Sequence, residues 1–138
     1  MSATVTERHE MRIDTEDDIA LVRTKVRDMA QLCRFDVFVS AAVTTAASEL
    51  ARNVWVHAGS GSVIVERIAD DDRLGVRVEF KDQGPGIPDI ERVMVGGYST
   101  ANSMGLGLSG SRRLVDEFSV DSAPGRGTCV KFVKWTPY

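Results

Sequence analysis

The chain has 138 residues, 43% of them hydrophobic and 27% charged, with a formal net charge of -3 and a pI of 5.4. That length suits one compact domain with a proper core. The acidic balance and the lack of any lysine or arginine cluster exclude nucleic-acid binding from the expected functions. No apolar run approaches a membrane span or the core of a signal peptide.

Residues 1–9 are polar and are expected to form a disordered N-terminal segment, leaving 10–138 as a single domain. Residues 10–13 could add a short edge strand. Asp14 or Thr15 then offers a helix cap, and Glu16, Asp17 and Asp18 suit the positive end of a helix dipole. Ile19, Val22, Val26, Met29, Ala30 and Cys33 recur at spacings of three and four, which predicts an amphipathic helix over about 15–33. Asp36 caps a second helix over about 37–58, ended by Gly59. Its apolar stripe is Val39, Val43, Ala46, Leu50, Val54 and Ala58. Glu49 and Asn53, four apart, share a neighbouring face, where they read either as a solvated pair or as a carboxylate and an amide aimed at a site. His57, near the helix end, reads as a helix-end cation or a packed side chain rather than a catalyst.

Residues 62–68 alternate as a strand, 69–73 form an acidic turn, and the alternating run Leu74, Val76, Val78, Phe80 predicts its hairpin partner over 74–81. That strand breaks at Asp82-Gln83-Gly84-Pro85-Gly86, so an acid stands on the rim of a sheet, where ligands commonly bind. A carboxylate there can accept a hydrogen bond from an exocyclic amine such as that of adenine. The pattern weakens over 88–104, a connection long enough to read as a mobile lid. Within it Ser99, Thr100 and Ser103 could contact a γ-phosphate or merely solvate the lid. Gly105-Leu106-Gly107-Leu108 then opens a helix through Leu114, Val115 and Phe118, and a glycine-rich helix start is a ready phosphate site. Two last strands are predicted over 118–122 and 128–135, joined by the turn 123–127. Cys33 and Cys129 lack metal or redox spacing and read as reduced core thiols of a cytoplasmic chain.

Four boxes stand in one order: Glu49-Leu50-Ala51-Arg52-Asn53, Asp82-Gln83-Gly84-Pro85-Gly86, Gly105-Leu106-Gly107-Leu108 and Gly125-Arg126-Gly127-Thr128. The ordered set resembles the GHKL family of ATP-binding domains, shared by gyrase-type ATPases, Hsp90, histidine kinases and anti-sigma serine kinases. The stretches SELARN, DQGPGIPDI, GLGLSG and RLVDEFSVDS…GTCVKFVKW are similar, more finely, to the RsbT-type switch serine/threonine kinases of the bacterial stressosome.

The resemblance implies an α/β sandwich (the Bergerat/GHKL fold), with a mixed, mostly antiparallel sheet, helices on one face and a mobile ATP lid. It implies ATP and Mg²⁺, with Asn53 coordinating the metal and Glu49 as general base. Asp82 would accept the adenine amino group, and Gly84 and Gly86 would let the base lie against the backbone. Gly105, Leu106, Gly107 and Leu108 would cradle the phosphates, and Thr128 would sit near the adenine, directly or through water. With no lysine or arginine over 96–110, transition-state charge falls to Mg²⁺, backbone N–H groups, or Arg112 or Arg113.

The implied activity is phosphorylation of STAS-domain scaffold proteins (RsbS/RsbR-like), which frees the kinase to activate a PP2C-type phosphatase (RsbU-like). A second reading keeps the fold and makes the chain an anti-sigma factor of the SpoIIAB or RsbW type. The DQGPGIPDI run and the closing KW-rich strand favour the first. A third, a degenerate scaffolding domain, is disfavoured because all four boxes are present.

Overall fold

A computed structural model of the chain describes residues 3–86 and 104–136; the expected lid, apart from Met104, lies outside them. The hairpin expected from the alternating runs forms between β2 (Gly61–Asp70) and β3 (Arg73–Asp82), with Val65 opposite Val78 and Gly61 opposite Asp82. Strand β1 (Thr4–Ile13) lines the outer edge of β2, and β5 (Thr128–Trp135) lies between β3 and β4 (Glu117–Ser122), giving the order β1-β2-β3-β5-β4. All four described pairings are antiparallel, so the sheet is more uniform than the mixed one expected. The β1 strand corrects the expectation of disorder through residue 9: Thr4 to Glu10 pair along Ala69 to Ile64.

Helix α1 (Asp17–Leu32) and helix α2 (Val37–Ala58) pack on each other and on one face of the sheet. The period of two in the strands and 3.6 in the helices brings Val63, Val65, Val76, Val78, Phe80 and Phe132 against Val22, Val26, Met29, Val43, Ala46, Leu50 and Val54 in one buried core. Cys33 belongs to this core; burial pushes its thiol up to about 11, and its Sγ donates to the Gly75 carbonyl at 3.5 Å. The opposite face carries a smaller cluster of Ile68, Val133 and Trp135. There Arg73 stacks 4.1 Å from the Trp135 ring centroid, and the indole N–H donates to Glu117. No helix among the described residues is long and apolar enough to cross a membrane.

Asp36 caps α2 as expected, accepting the Val39 N–H at 2.8 Å, and Gly59 ends the helix. The start of α1 differs. Neither Asp14 nor Thr15 caps it; instead the Asp18 carboxylate reaches back and accepts both of their backbone N–H groups, at 2.8 and 3.0 Å. Those two bonds hold the Asp18 carboxyl below its ordinary value of 3.8. Its stabilisation is therefore present above pH 3.8 and lost as pH falls through the lower folded value. Thermal melts should show Asp18→Ala less stable than the parent at neutral pH, with the gap shrinking below pH 3.8. A gap independent of pH would remove the carboxylate from this role.

Helix α3 (Met104–Arg113) packs on α2 and ends earlier than its apolar residues predict. Leu114 N–H turns back to the Ser111 carbonyl, and Asp116 N–H then bonds the Val133 carbonyl at 3.0 Å. The sheet captures the chain there, placing Phe118 in β4 opposite Phe132.

Candidate functional site

Strand β3 ends at Asp82, flanked by Gly61 on β2 and Thr128 on β5. Asp82 Oδ1 accepts the Gly84 N–H at 2.9 Å, which stops the strand and fixes the carboxylate, leaving its other oxygen for a further donor. The turn that follows is wedged between two other segments. A Cβ on Gly84 would meet Ala58 Cβ at 2.8 Å, and one on Gly86 would meet the Ala123 carbonyl oxygen at 2.0 Å. The neighbours of both glycines are thus protein atoms: they let this turn press against the end of α2 and the β4–β5 turn.

The β4–β5 turn closes on the same acid. Gly127 has a φ of +79°, and a Cβ there would stand 2.2 Å from the Asp82 carbonyl oxygen. Gly125 has the same φ but open space around it. Both substitutions to alanine incur backbone strain of about 1–3 kcal/mol, and Gly127→Ala adds a backbone clash. Urea denaturation should therefore show Gly127→Ala as clearly the more damaging of the two. Equal losses would mean that this turn does not press on Asp82.

Ser122, opposite Thr128 in the β4–β5 ladder, donates its hydroxyl proton to the Gly127 carbonyl at 2.8 Å. The 2.8 Å contact between the Ser122 and Thr128 hydroxyls then has Thr128 as donor, so the Thr128 oxygen keeps its acceptor capacity. Sequence reading did not single out Ser122. Its signal was the five-residue turn 123–127, which sets the register that pairs it with Thr128.

Helix α2 supplies the other wall. Asn53, Asp82 and Thr128, with Leu50, Phe80, Leu108 and Val130, line one cavity of about 20 Å³, room for an ordered water. The Asn53 Nδ2 is buried there without a hydrogen-bond partner among the described residues, which is costly unless a ligand or water answers the amide. Glu49 is exposed one turn toward the start of α2 and does not line the cavity. His57, one turn the other way, is half-buried; burial pushes its pKa down, opposed by the Asp82 carboxylate. The packed reading of His57 therefore holds over the cationic one.

Gly105, Leu106 and Gly107 fall in the first turn of α3, where backbone N–H groups lack helical acceptors, and Leu108 reaches the cavity. Arg112 and Arg113 are exposed at the opposite end of that helix. A second cavity, of about 200 Å³, shares Asp82 and Thr128 but is completed by Lys81, Asp121, Arg126 and Cys129. Lys81, Cys129 and Asp121 are cross-strand neighbours, so it lies away from Asn53 and α3.

One face of the sheet is thus roofed by helices, and an amide, an acid and a glycine-rich helix start converge at its rim, as in GHKL ATP-binding domains. Residues 39–137 match the family described as Histidine kinase-, DNA gyrase B-, and HSP90-like ATPase, and the chain belongs to it. In particular, it is 46% identical over 125 residues to the serine/threonine-protein kinase RsbT of Bacillus subtilis (strain 168), an alignment covering 91% of this chain and 94% of that one. It is 31% identical over 99 residues to an anti-sigma F factor of Caldanaerobacter subterraneus, covering 67% of this chain and 68% of the relative. Among solved structures, the RsbU and RsbW domains of a Mycobacterium tuberculosis protein superpose with a TM-score of 0.66 at 20% identity. That match covers 96% of this chain and 34% of the larger one, and it bears on the fold alone.

Proposed function

We propose that the chain is an ATP-dependent protein serine/threonine kinase. The observation that carries this reading is the orphaned Asn53 amide in one cavity with the Asp82 carboxylate, the Thr128 oxygen and Leu108 of α3. Side chains from four separate segments line that cavity, which supports reading it as part of a purine-nucleotide site.

Each residue then has a task. The free oxygen of Asp82 accepts the adenine amino group, and Thr128 accepts from the same region directly or through the water that the cavity can hold. Leu50, Phe80, Leu108 and Val130 supply the apolar wall. Backbone N–H groups of the first turn of α3 meet the phosphates, aided by the helix dipole. Glu49 takes the proton of a substrate hydroxyl while the hydroxyl oxygen bonds to the γ-phosphorus and the bridge to the β-phosphate breaks, releasing ADP.

Mg²⁺ fits this donor set. No group of three or more His, Cys, Asp or Glu among the described residues could hold a metal, so its oxygens would come from Asn53, phosphates and water, which Mg²⁺ accepts. When bound, it neutralises charge on the phosphates, which phosphoryl transfer needs more than covalent chemistry.

The substrates proposed are serine or threonine residues of STAS-domain scaffold proteins (RsbS/RsbR-like), in a cytoplasmic partner-switching circuit whose other arm is a PP2C-type phosphatase (RsbU-like). Support comes from the 46% identity to RsbT over nearly the full length of both chains. The test combines the purified chain, γ-labelled ATP with magnesium, and a purified STAS-domain protein. Label on serine or threonine of the STAS protein is the expected result, and nucleotide binding without transfer would defeat the reading. The anti-sigma F relatives support a second reading, sequestration of a sigma factor. Retention of sigma with no phosphorylation of a STAS protein would favour it.

A further inference from the structure

We infer that the exposed ridge of α2 is the surface on which the protein substrate docks, with Phe38 as its aromatic anchor. The inference rests on the kinase reading and specifies where that substrate sits. Phe38, Thr45, Glu49, Arg52 and Val56 follow one another at spacings of seven, four, three and four, so they share one helix face. All five are exposed, while Val43, Ala46, Leu50 and Val54 hold the underside in the core.

The ridge carries bare apolar side chains near both of its ends. Phe38 is 85% exposed and Val56 53%, and Val37, beside Phe38, is 79% exposed. Val37 and Phe38 are neighbours and both bare, so they expose apolar surface together rather than singly, and aromatic anchors dominate interface energetics. Arg52, between them, makes a 3.7 Å ion pair to Glu16, with both side chains more than half exposed.

Position selects the occupant. A substrate hydroxyl must come to Glu49, which lies on this ridge between the two apolar residues. At a helical rise of 1.5 Å per residue, Phe38 stands about 16 Å from Glu49 along the axis and Val56 about 10 Å. A standard interface of about 800 Å² per partner is a disc of about 16 Å radius, so a protein centred midway along the ridge, about 3 Å from Glu49, covers both apolar residues at about 14 Å on either side. The partner that fits is a folded protein presenting its serine or threonine beside an apolar recess for Phe38, with an acidic group for Arg52. Within the proposed circuit this is the STAS-domain substrate.

The test is steady-state phosphorylation of a purified STAS-domain protein by the full chain. Phe38→Ala should raise KM for the STAS protein by about tenfold, the scale of a lost aromatic anchor, with kcat and ATP affinity unchanged. Phe38→Leu should restore most of the affinity. Leu21→Ala removes a comparably bare side chain, 58% exposed on α1 and off the ridge, and should leave KM unchanged. Since Phe38 is 85% exposed, its loss does not threaten folding. An unchanged KM in Phe38→Ala would overturn the docking ridge and leave the kinase reading intact. A wild-type chain that binds Mg-ATP yet phosphorylates no STAS protein would defeat that reading and remove the occupant with it. A wild-type dimer dissolved by Phe38→Ala in sedimentation would make the ridge a self-interface and overturn the proposal.

Discussion

Glu49→Gln should lower kcat for phosphoryl transfer by about 10²–10⁴-fold, the usual contribution of a general base, while Mg-ATP binds as to the parent. Glu49 is exposed, one helical turn from Asn53, and among the described residues it has no hydrogen bond or ion pair that would make it a structural group. Its exchange for glutamine keeps volume and helix propensity almost constant, so folding should be untouched. What disappears is the capacity to accept a proton. The nucleotide is proposed to be held by Asp82, Thr128, Asn53 and the start of α3, and none of these is altered. Rate and affinity should therefore separate: single-turnover transfer of labelled phosphate collapses, and calorimetric titration of Mg-ATP stays the same. If Glu49 only solvates the surface of α2, the other reading left open by the sequence, the variant transfers phosphate at the parental rate and the base lies elsewhere.

How much of this could be read from the residues depends on how local the determinants are. The α2 helix was legible to the residue, because Asp36 caps it through its own side chain and Gly59 stops it. The start of α1 was misplaced because the capping carboxylate comes from Asp18, inside the helix, rather than from a residue preceding it. The β1 strand was half missed: over Thr4 to Glu10 it is an edge strand with polar residues on both faces, so alternation gives no signal and only pairing with β2 makes it a strand. The end of α3 was overrun because the hydrogen bond that recruits Asp116 comes from Val133, distant in sequence. The same distinction runs through the candidate site. Asp82, Asn53 and Thr128 each sit in a recognisable box. The contacts that hold them together, Gly127 against the Asp82 carbonyl and Ser122 on Thr128, depend on strand register and were not visible one residue at a time.

The second large effect concerns base recognition. Asp82→Asn should weaken ATP binding by about 100-fold or more and improve ITP relative to ATP. The two side chains have nearly the same shape, and the asparagine carbonyl can still accept the Gly84 N–H now held at 2.9 Å, so the turn should survive. Its other atom becomes an NH₂ group. In the proposed complex that donor faces the adenine amino group, another donor, and two buried donors left facing each other are far costlier than a missing contact. A site built to pair with a substrate polar group rejects a mismatched analogue by about 10⁴–10⁵-fold at best; partial relief by water, in a cavity with room for one, brings the expected loss to about 100-fold or more. Inosine carries an oxygen where adenine carries the amine, so the same NH₂ becomes its partner, and the order of preference should reverse or flatten. Competition binding of ATP and ITP to parent and variant measures this directly. A variant that lost both nucleotides equally would point to collapse of the Asp82 turn, and one that still favoured ATP as the parent does would show that this carboxylate does not read the base.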